Sequence, residues 1–446
     1  MRSNGPLPFS YPALAGVLLL LLAAARFHPF ATEEPTQSPP SHNFSGLSEF
    51  RDRIVQTGRH LLADILVELL EQDDGGLDEA GLVARLLDPA TPAPQLRADA
   101  WRLAQRYDSP SAAAALWQVL AQGSADQRAA AAEALGKAAL PGALQTLEQL
   151  LADPDGKVRR GALSGLARME QGEATALLRR VLADPLTPPD LRAYSAGLLG
   201  DAGSAAGLQA LKAAAAQPLE EDTLAAVIDG LGNYRFRDTA EVFRGILADP
   251  SRDVLFKAEA VEALARSDAD ALPFLLETAA TGADPEVRAA AAWAAGASPH
   301  GGGLGQQLTG LLRQEADSEV RRRLYESIMR QRNIGSPDSL EQAYAESDPA
   351  TRIAGANALA VAIRREGPAS PAAARFGTEQ IPDLVAAALG DGERNLRYRA
   401  VFALSRAGSA DAVAALQAIA AHADPEIAGL ATRGLASQSN RPVSNP

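Results

Sequence analysis

A carboxylate and a cation four residues apart sit one helical turn from each other, close enough to share a proton or hold an ionic substrate. That spacing recurs here. Asp155, Glu220, Asp253, Asp284, Asp317, Asp348, Glu393 and Asp424 each stand four residues before a marker position, and six of those eight markers are Arg or Lys. Catalysis needs one exceptional pair in a pocket, whereas this pair comes round again and again. A structural role follows instead. An acid at a helix N-cap accepts backbone N–H bonds and suits the positive dipole end, and the Arg one turn on can pair with it or with an acid of an adjacent unit. Other chemical motifs fail on detail. His28, His42, His60, His300 and His422 are scattered, with no His/Asp/Glu set at metal-ligand spacing. Gly301-Gly302-Gly303-Leu304-Gly305 lacks the Gly-Lys-Ser/Thr ending and preceding strand of a phosphate loop, and reads as a flexible turn. Asp73-Asp74-Gly75-Gly76 lacks EF-hand spacing, and no Gly-x-Ser-x-Gly nucleophile elbow occurs. The sequence therefore assigns no catalytic residue, no metal ligand and no cofactor or small-molecule site.

The elements that position these residues are repeats. The marker falls at Arg97, Arg128, Arg159, Arg192, Leu224, Lys257, Arg288, Arg321, Arg352, Arg397 and Ala428. The intervals are 31–33 residues except for one of 45. A fixed period near 32 is the signature of a stacked array. In the unit from Pro141 to Met169, Ala143, Leu144, Leu147, Leu150 and Leu151 recur at helical spacing. Asp153-Pro154-Asp155-Gly156 then turns the chain, Asp155 caps the next helix, and Val158, Ala162, Leu163 and Leu166 form its inner stripe. The expected architecture is all-α: an α-solenoid of about eleven two-helix units. Trp101, Trp117 and Trp293 fall at helical positions and are expected in its core.

The repeated phrase resembles HEAT repeats, in particular the short HEAT-like type also found in phycobilin lyases. The resemblance covers about Leu77 to Ala436 and includes Asp284-Pro285-Glu286-Val287-Arg288. It implies a scaffold that binds proteins. A bilin-lyase-like enzyme or accessory subunit is the alternative it carries, although no bilin-attachment motif is present. A folding helper for exported proteins is a third reading.

Composition supports the helical assignment. Apolar residues make up 47% of the chain and aromatics only 5%. Alanine dominates that fraction; it is the best helix former and permits close helix approach. The net charge is -13, opposite to the basic footprint of a nucleic-acid binder. There is no cysteine, hence no disulfide, thiol nucleophile or lipoprotein acylation site. Lysine occurs only at Lys137, Lys157, Lys212 and Lys257. So strong an arginine bias suggests a high-GC bacterial genome.

Leu14 to Ala25 reads LAGVLLLLLAAA, flanked by Arg2 and Arg26. The run suits the h-region of a secretory signal, and Ala23-Ala24-Ala25 resembles a cleavage site. Extended back to Leu7, the stretch is long enough for an uncleaved anchor. Both readings send the array across a membrane, to a periplasm in a Gram-negative cell, with tethering through residues 7–25. The expected divisions are 1–26 signal or anchor, 27–46 disordered tether, 47–437 solenoid and 438–446 flexible tail. Leu47 to Glu71 reads as an amphipathic helix that caps the array or dimerises, with capping favoured because open ends need covering.

Function in such an array is sought where the repeat deviates. The 45-residue interval holds about 14 extra residues near Arg364 to Thr378, including Arg364, Arg365, Arg375 and Phe376. Insertions of this kind map to one face, often the binding face, and are otherwise tolerated surface loops. Tyr234-Arg235-Phe236-Arg237 replaces the small residues of a turn. Its rings are either interface contacts or fold onto neighbouring helices. Arg321-Arg322-Arg323, Arg330 and Arg332 make one helix basic, as a landing site for an acidic partner or as a solvated face with acid pairs. These two deviant segments are the candidate contacts for an unidentified protein partner.

Overall fold

The computed structural model describes residues 77–106, 109–169, 172–367, 370–422 and 424–439. The leader, the tether and the Leu47–Glu71 helix lie outside them. The described residues are helical with no strand, and fall into eleven units. The first four are Glu79–Leu87 (α1) with Ala93–Gln105 (α2), Pro110–Gln122 (α3) with Ala125–Ala138 (α4), Ala143–Leu150 (α5) with Gly156–Arg168 (α6), and Gly172–Ala183 (α7) with Pro189–Asp201 (α8). Next come Ala205–Ala215 (α9) with Glu221–Leu231 (α10), Phe236–Ala248 (α11) with Val254–Ala263 (α12), Ala271–Thr281 (α13) with Pro285–Ala297 (α14), and Gly305–Gln314 (α15) with Ser318–Met329 (α16). In the ninth unit a 3-10 run, Pro337–Ala345, replaces the first α-helix and precedes Pro349–Glu366 (α17). The tenth has two short helices, Pro371–Glu379 (α18) and Ile381–Leu389 (α19), before Arg394–Ala407 (α20). Ala410–His422 (α21) and Pro425–Ser439 (α22) close the array, so helix continues two residues into the segment expected to be tail.

Local sequence explains the starts of these helices. Asp155, Asp253, Asp317, Asp348 and Asp424 each accept a backbone N–H from the first turn that follows them. Ser124 and Gln127 form a reciprocal capping box. Pro285, Pro349 and Pro371 sit in first turns, where a missing N–H costs no intrahelical bond. Glu220, Asp284 and Glu393 also precede helices, without a side-chain cap bond.

The 45-residue interval is not a surface loop. Its extra residues lengthen α17 to 18 residues and form α18, with Phe376 fully buried. The predicted inner stripe holds: Ala143, Leu147, Val158, Ala162, Leu163 and Leu166 are all buried. Trp101 is buried as well, and Trp117 and Trp293 are half-buried against the core.

At most junctions the second helices of successive units touch along their lengths, while first helices touch far less. Small residues allow this. A Cβ on Gly136 of α4 would meet Gly165 O of α6 at 1.9 Å, and one on Gly296 of α14 would meet Ser327 Cβ of α16 at 2.3 Å. The α6–α8 and α10–α12 junctions are the shallower ones.

Candidate functional site

The recurrent arginine has a structural duty. Arg128, Arg159, Arg288, Arg321 and Arg352 each donate to a carbonyl in the turn of their own unit. The same side chains, Arg159 excepted, reach an acid one unit further on. Arg128 pairs with Asp153 at 3.1 Å, Arg288 with Glu315 at 2.8 Å, Arg321 with Glu346 at 2.8 Å and Arg352 with Asp383 at 2.6 Å. Arg192 and Arg397 reach Glu220 and Asp424 in the same way. Of the two pairings open to the sequence, the adjacent unit is the one used. Arg288 and the backbone N–H groups of Asp317 and Ala316 hold the Glu315 carboxyl below its usual range, against burial that works to raise it.

The deviant segments are packed into this framework. Tyr234 is 8% exposed and Phe236 5%. Tyr234 Oη donates to Leu199 O at 2.7 Å across the unit boundary, and burial near Asp201 pushes its phenol up to about 12. Phe236 lies 5.0 Å from Phe274, centroid to centroid. Arg235 and Arg237, which alternate with the rings, are exposed. The expectation of exposed aromatic contacts is therefore corrected for Tyr234 and Phe236. Tyr234 and Arg235 lie in the turn and Phe236 and Arg237 open α11, an arrangement in which the two rings are buried and the two guanidinium groups exposed.

Phe376 is corrected likewise, since α18 is a packed helix. Arg375 lies 4.1 Å from the Tyr344 ring centroid and pairs with Glu341 and Glu379, each at 2.9 Å. Arg365 donates to Arg332 O and Gln331 O beyond α16, and Arg364 is half-buried. The basic α16 is a face of internal acid pairs: Arg322 and Arg323 share Glu319 and Glu326. In the glycine run, a Cβ on Gly305 would meet Asn333 O at 1.6 Å, so its glycine serves packing.

A different feature emerges when the second helices are superposed on their markers. The position five residues past the marker falls at the same place on each second helix, and it is mostly polar. It carries Arg102, Glu133, Ser164, Asp229, Glu262, Glu326, Asn357 and Arg433 in eight of the eleven units, and Gly197, Trp293 and Phe402 in the other three. Of the polar eight, all but Asp229 and Arg433 are buried. A buried charge needs partners, and most have them. Glu133 accepts two bonds from Arg97, at 2.6 and 2.7 Å, and one from Arg168 at 3.4 Å. Arg97, Lys137 and Arg168 also surround the Trp101 ring at 5.0, 3.7 and 4.7 Å. Ser164 meets Tyr194 Oη at 2.7 Å.

Near the other end, Glu326 accepts from Arg322 on its own helix and from Arg399 of α20, across the intervening α17. Burial works to raise the Glu326 carboxyl, but Arg322, Arg399 and Arg323 outweigh it and hold it low. Asn357 donates to Ile353 O and Arg399 O and accepts from Arg406. Glu262 is the exception. It is 5% exposed and accepts no hydrogen bond from a described residue. Burial pushes it up to about 7, Glu259 adds to the rise, and Arg323 only partly offsets it. Sequence reasoning missed this row because each residue looks unremarkable alone. Aligning the copies is the signal that exposes it.

Among the described residues, no group of His, Asp or Glu converges as metal ligands, and no helix is long and apolar enough to cross a membrane. The row holds and orients polar groups, with the Glu133, Glu262 and Glu326 carboxylates buried; what it presents outward are part-exposed arginine partners such as Arg168 and Arg399.

Comparison with known proteins agrees with the repeat reading. The family model described as HEAT repeats matches residues 79–163, 145–223 and 219–296. No curated protein matches. Among solved structures, the chain is similar to one described as Kap95p binding with RanGDP. It is 14% identical, with 85% of this chain and 64% of that chain covered and a TM-score of 0.41. Kap121p bound to Nup53p is 13% identical over 79% of this chain and 44% of that chain, with a TM-score of 0.47. Human deoxyhypusine hydroxylase in complex with glycerol is 16% identical over 84% and 98%, with a TM-score of 0.23. The chain thus spans less than two thirds of the karyopherin chains, and these distant likenesses carry no argument about function.

Proposed function

The chain is a HEAT-repeat protein, matched as such over residues 79–296, and on that premise we propose that it is a non-catalytic scaffold binding a protein partner. The observation that carries the proposal is the polar row along the second helices. Several of its buried charges are paired across unit boundaries and spread over the array, leaving part-exposed arginines such as Arg168 and Arg399 along the second helices, an arrangement suited to a long contact surface and unlike a single reacting centre. We extend the proposal to location: the apolar run Leu14–Ala25 supports export of the array, to a periplasm, either tethered through residues 7–25 or released.

Site-specific photocrosslinking tests the scaffold reading. A crosslinking residue at Gly197, which holds the same row position on α8 and has open space around it, should form adducts with one or two defined proteins. The same residue at exposed Glu241 on first helix α11 should form far fewer. No adduct at Gly197, or adducts confined to Glu241, would sink the use of the second-helix row.

A further inference from the structure

Phe402 is one of three large hydrophobic side chains exposed among the described residues, at 42%. It occupies the row position of α20, where six other units carry buried polar groups. Its neighbours are cationic. The Arg406 guanidinium lies 5.7 Å from the Phe402 ring centroid. Arg399 stands one turn earlier on the same helix, and the row position of the last unit is Arg433, which is exposed.

The charge balance at this place is uneven. Arg399 has Glu326 as its counter-ion. Arg406 is half-buried, and its contacts are the amide oxygen of Asn357 and the face of Phe402, both neutral. Burial and the charge of Arg399 lower its proton affinity, the mark of a cation short of negative charge. An exposed ring beside such a guanidinium presents an apolar surface and a vacant electrostatic complement together.

We propose that Phe402, Arg406 and Arg399 form a docking surface for an acidic segment of a partner protein, one with an Asp or Glu next to an apolar side chain. The carboxylate pairs with Arg406, and the apolar group covers Phe402. Asn357 holds Arg406 in place by keeping its own amide bonded to Arg399 O and Ile353 O. The proposal rests on the scaffold reading and adds the chemistry of the partner.

The test is selection of a random-peptide phage library on the full chain, followed by affinity measurements with the best synthetic peptide. Enriched peptides should carry Asp or Glu beside an apolar residue. Replacing the acid by its amide, or substituting Arg406→Gln or Phe402→Ala in the protein, should each weaken binding about tenfold, the size of one lost charged contact. Arg406→Lys should retain most of the affinity. Phe402 is exposed, so Phe402→Ala decides the matter if Arg406→Gln melts early. Enriched peptides without acids, or binding unaffected by both substitutions, would overturn this surface and leave the scaffold reading standing. No enrichment of any peptide would count against both.

Discussion

Glu262 couples a single proton to the stability of its region. Between pH of about 4.5, where the unfolded chain releases that proton, and about 7, where the folded array does, the folded state binds more protons. Stability therefore falls as pH rises through this window and levels off above it. Glu262→Gln should stabilise the protein by about 2–3 kcal/mol at pH 8 and by almost nothing at pH 4, read from melting at both values. An equal effect at the two pH values would mean the carboxyl is not buried as described. Tyr234→Phe keeps the ring and removes the bond to Leu199 O. It should cost about 1–2 kcal/mol by leaving a buried carbonyl unpaired, measured by denaturant unfolding. At this scale the sequence is least legible. It names Tyr234 and Phe236 as unusual but leaves open which way their rings turn. That depends on where the turn ends and α11 begins, and on Phe274, 38 residues away in the chain.

Helices and their caps were far more legible. The acid at the N-cap, the Asp-Pro turn and the apolar stripes of α5 and α6 follow from periodicity and elementary capping chemistry. The 45-residue interval was legible as a deviation and not as a helix, because Pro- and Ala-rich sequence suits both a loop and the first turn of α18. The glycines of the second helices are contrasting probes. Gly136→Ala drives a methyl into Gly165 O and should destabilise by about 3 kcal/mol, at the upper end of overpacking costs. Gly197→Ala meets nothing within 4 Å and should stabilise α8 by about 0.5–1 kcal/mol, since alanine is the better helix former. Denaturant unfolding of the two variants should shift in opposite directions. Arg321→Met strands Glu346, which is buried and bonded to Arg321 and Tyr325. Breaking one side of such a pair should cost about 3–5 kcal/mol, with hydrogen exchange rising first in α16 and α17.

The array as a whole depends on contacts between neighbours. At Arg128, Arg192, Arg288, Arg321, Arg352 and Arg397 the arginine ladder ties one unit to the next, and the strut from Arg399 to Glu326 passes over only one helix. Eleven units were countable from the marker alone, since a unit that cannot bury its own stripe must recur with its partners. What lies beyond the array is tested separately. A reporter active only after export, fused behind Pro446, should be active if Leu14–Ala25 directs translocation; activity from a reporter restricted to the cytoplasm would reverse the proposal. The unequal packing of the two helix rows has a mechanical consequence. Where second helices touch backbone to backbone through glycine, that row is almost inextensible, while the sparsely touching first helices can part or close at little cost. Bending is therefore directional, easy in the plane that works the first-helix row and stiff where it would stretch the second. It is expected to concentrate at the shallow α6–α8 junction, where the second helices touch little and no glycine brings their backbones together, so that small rotations there leave the packing inside each unit unchanged.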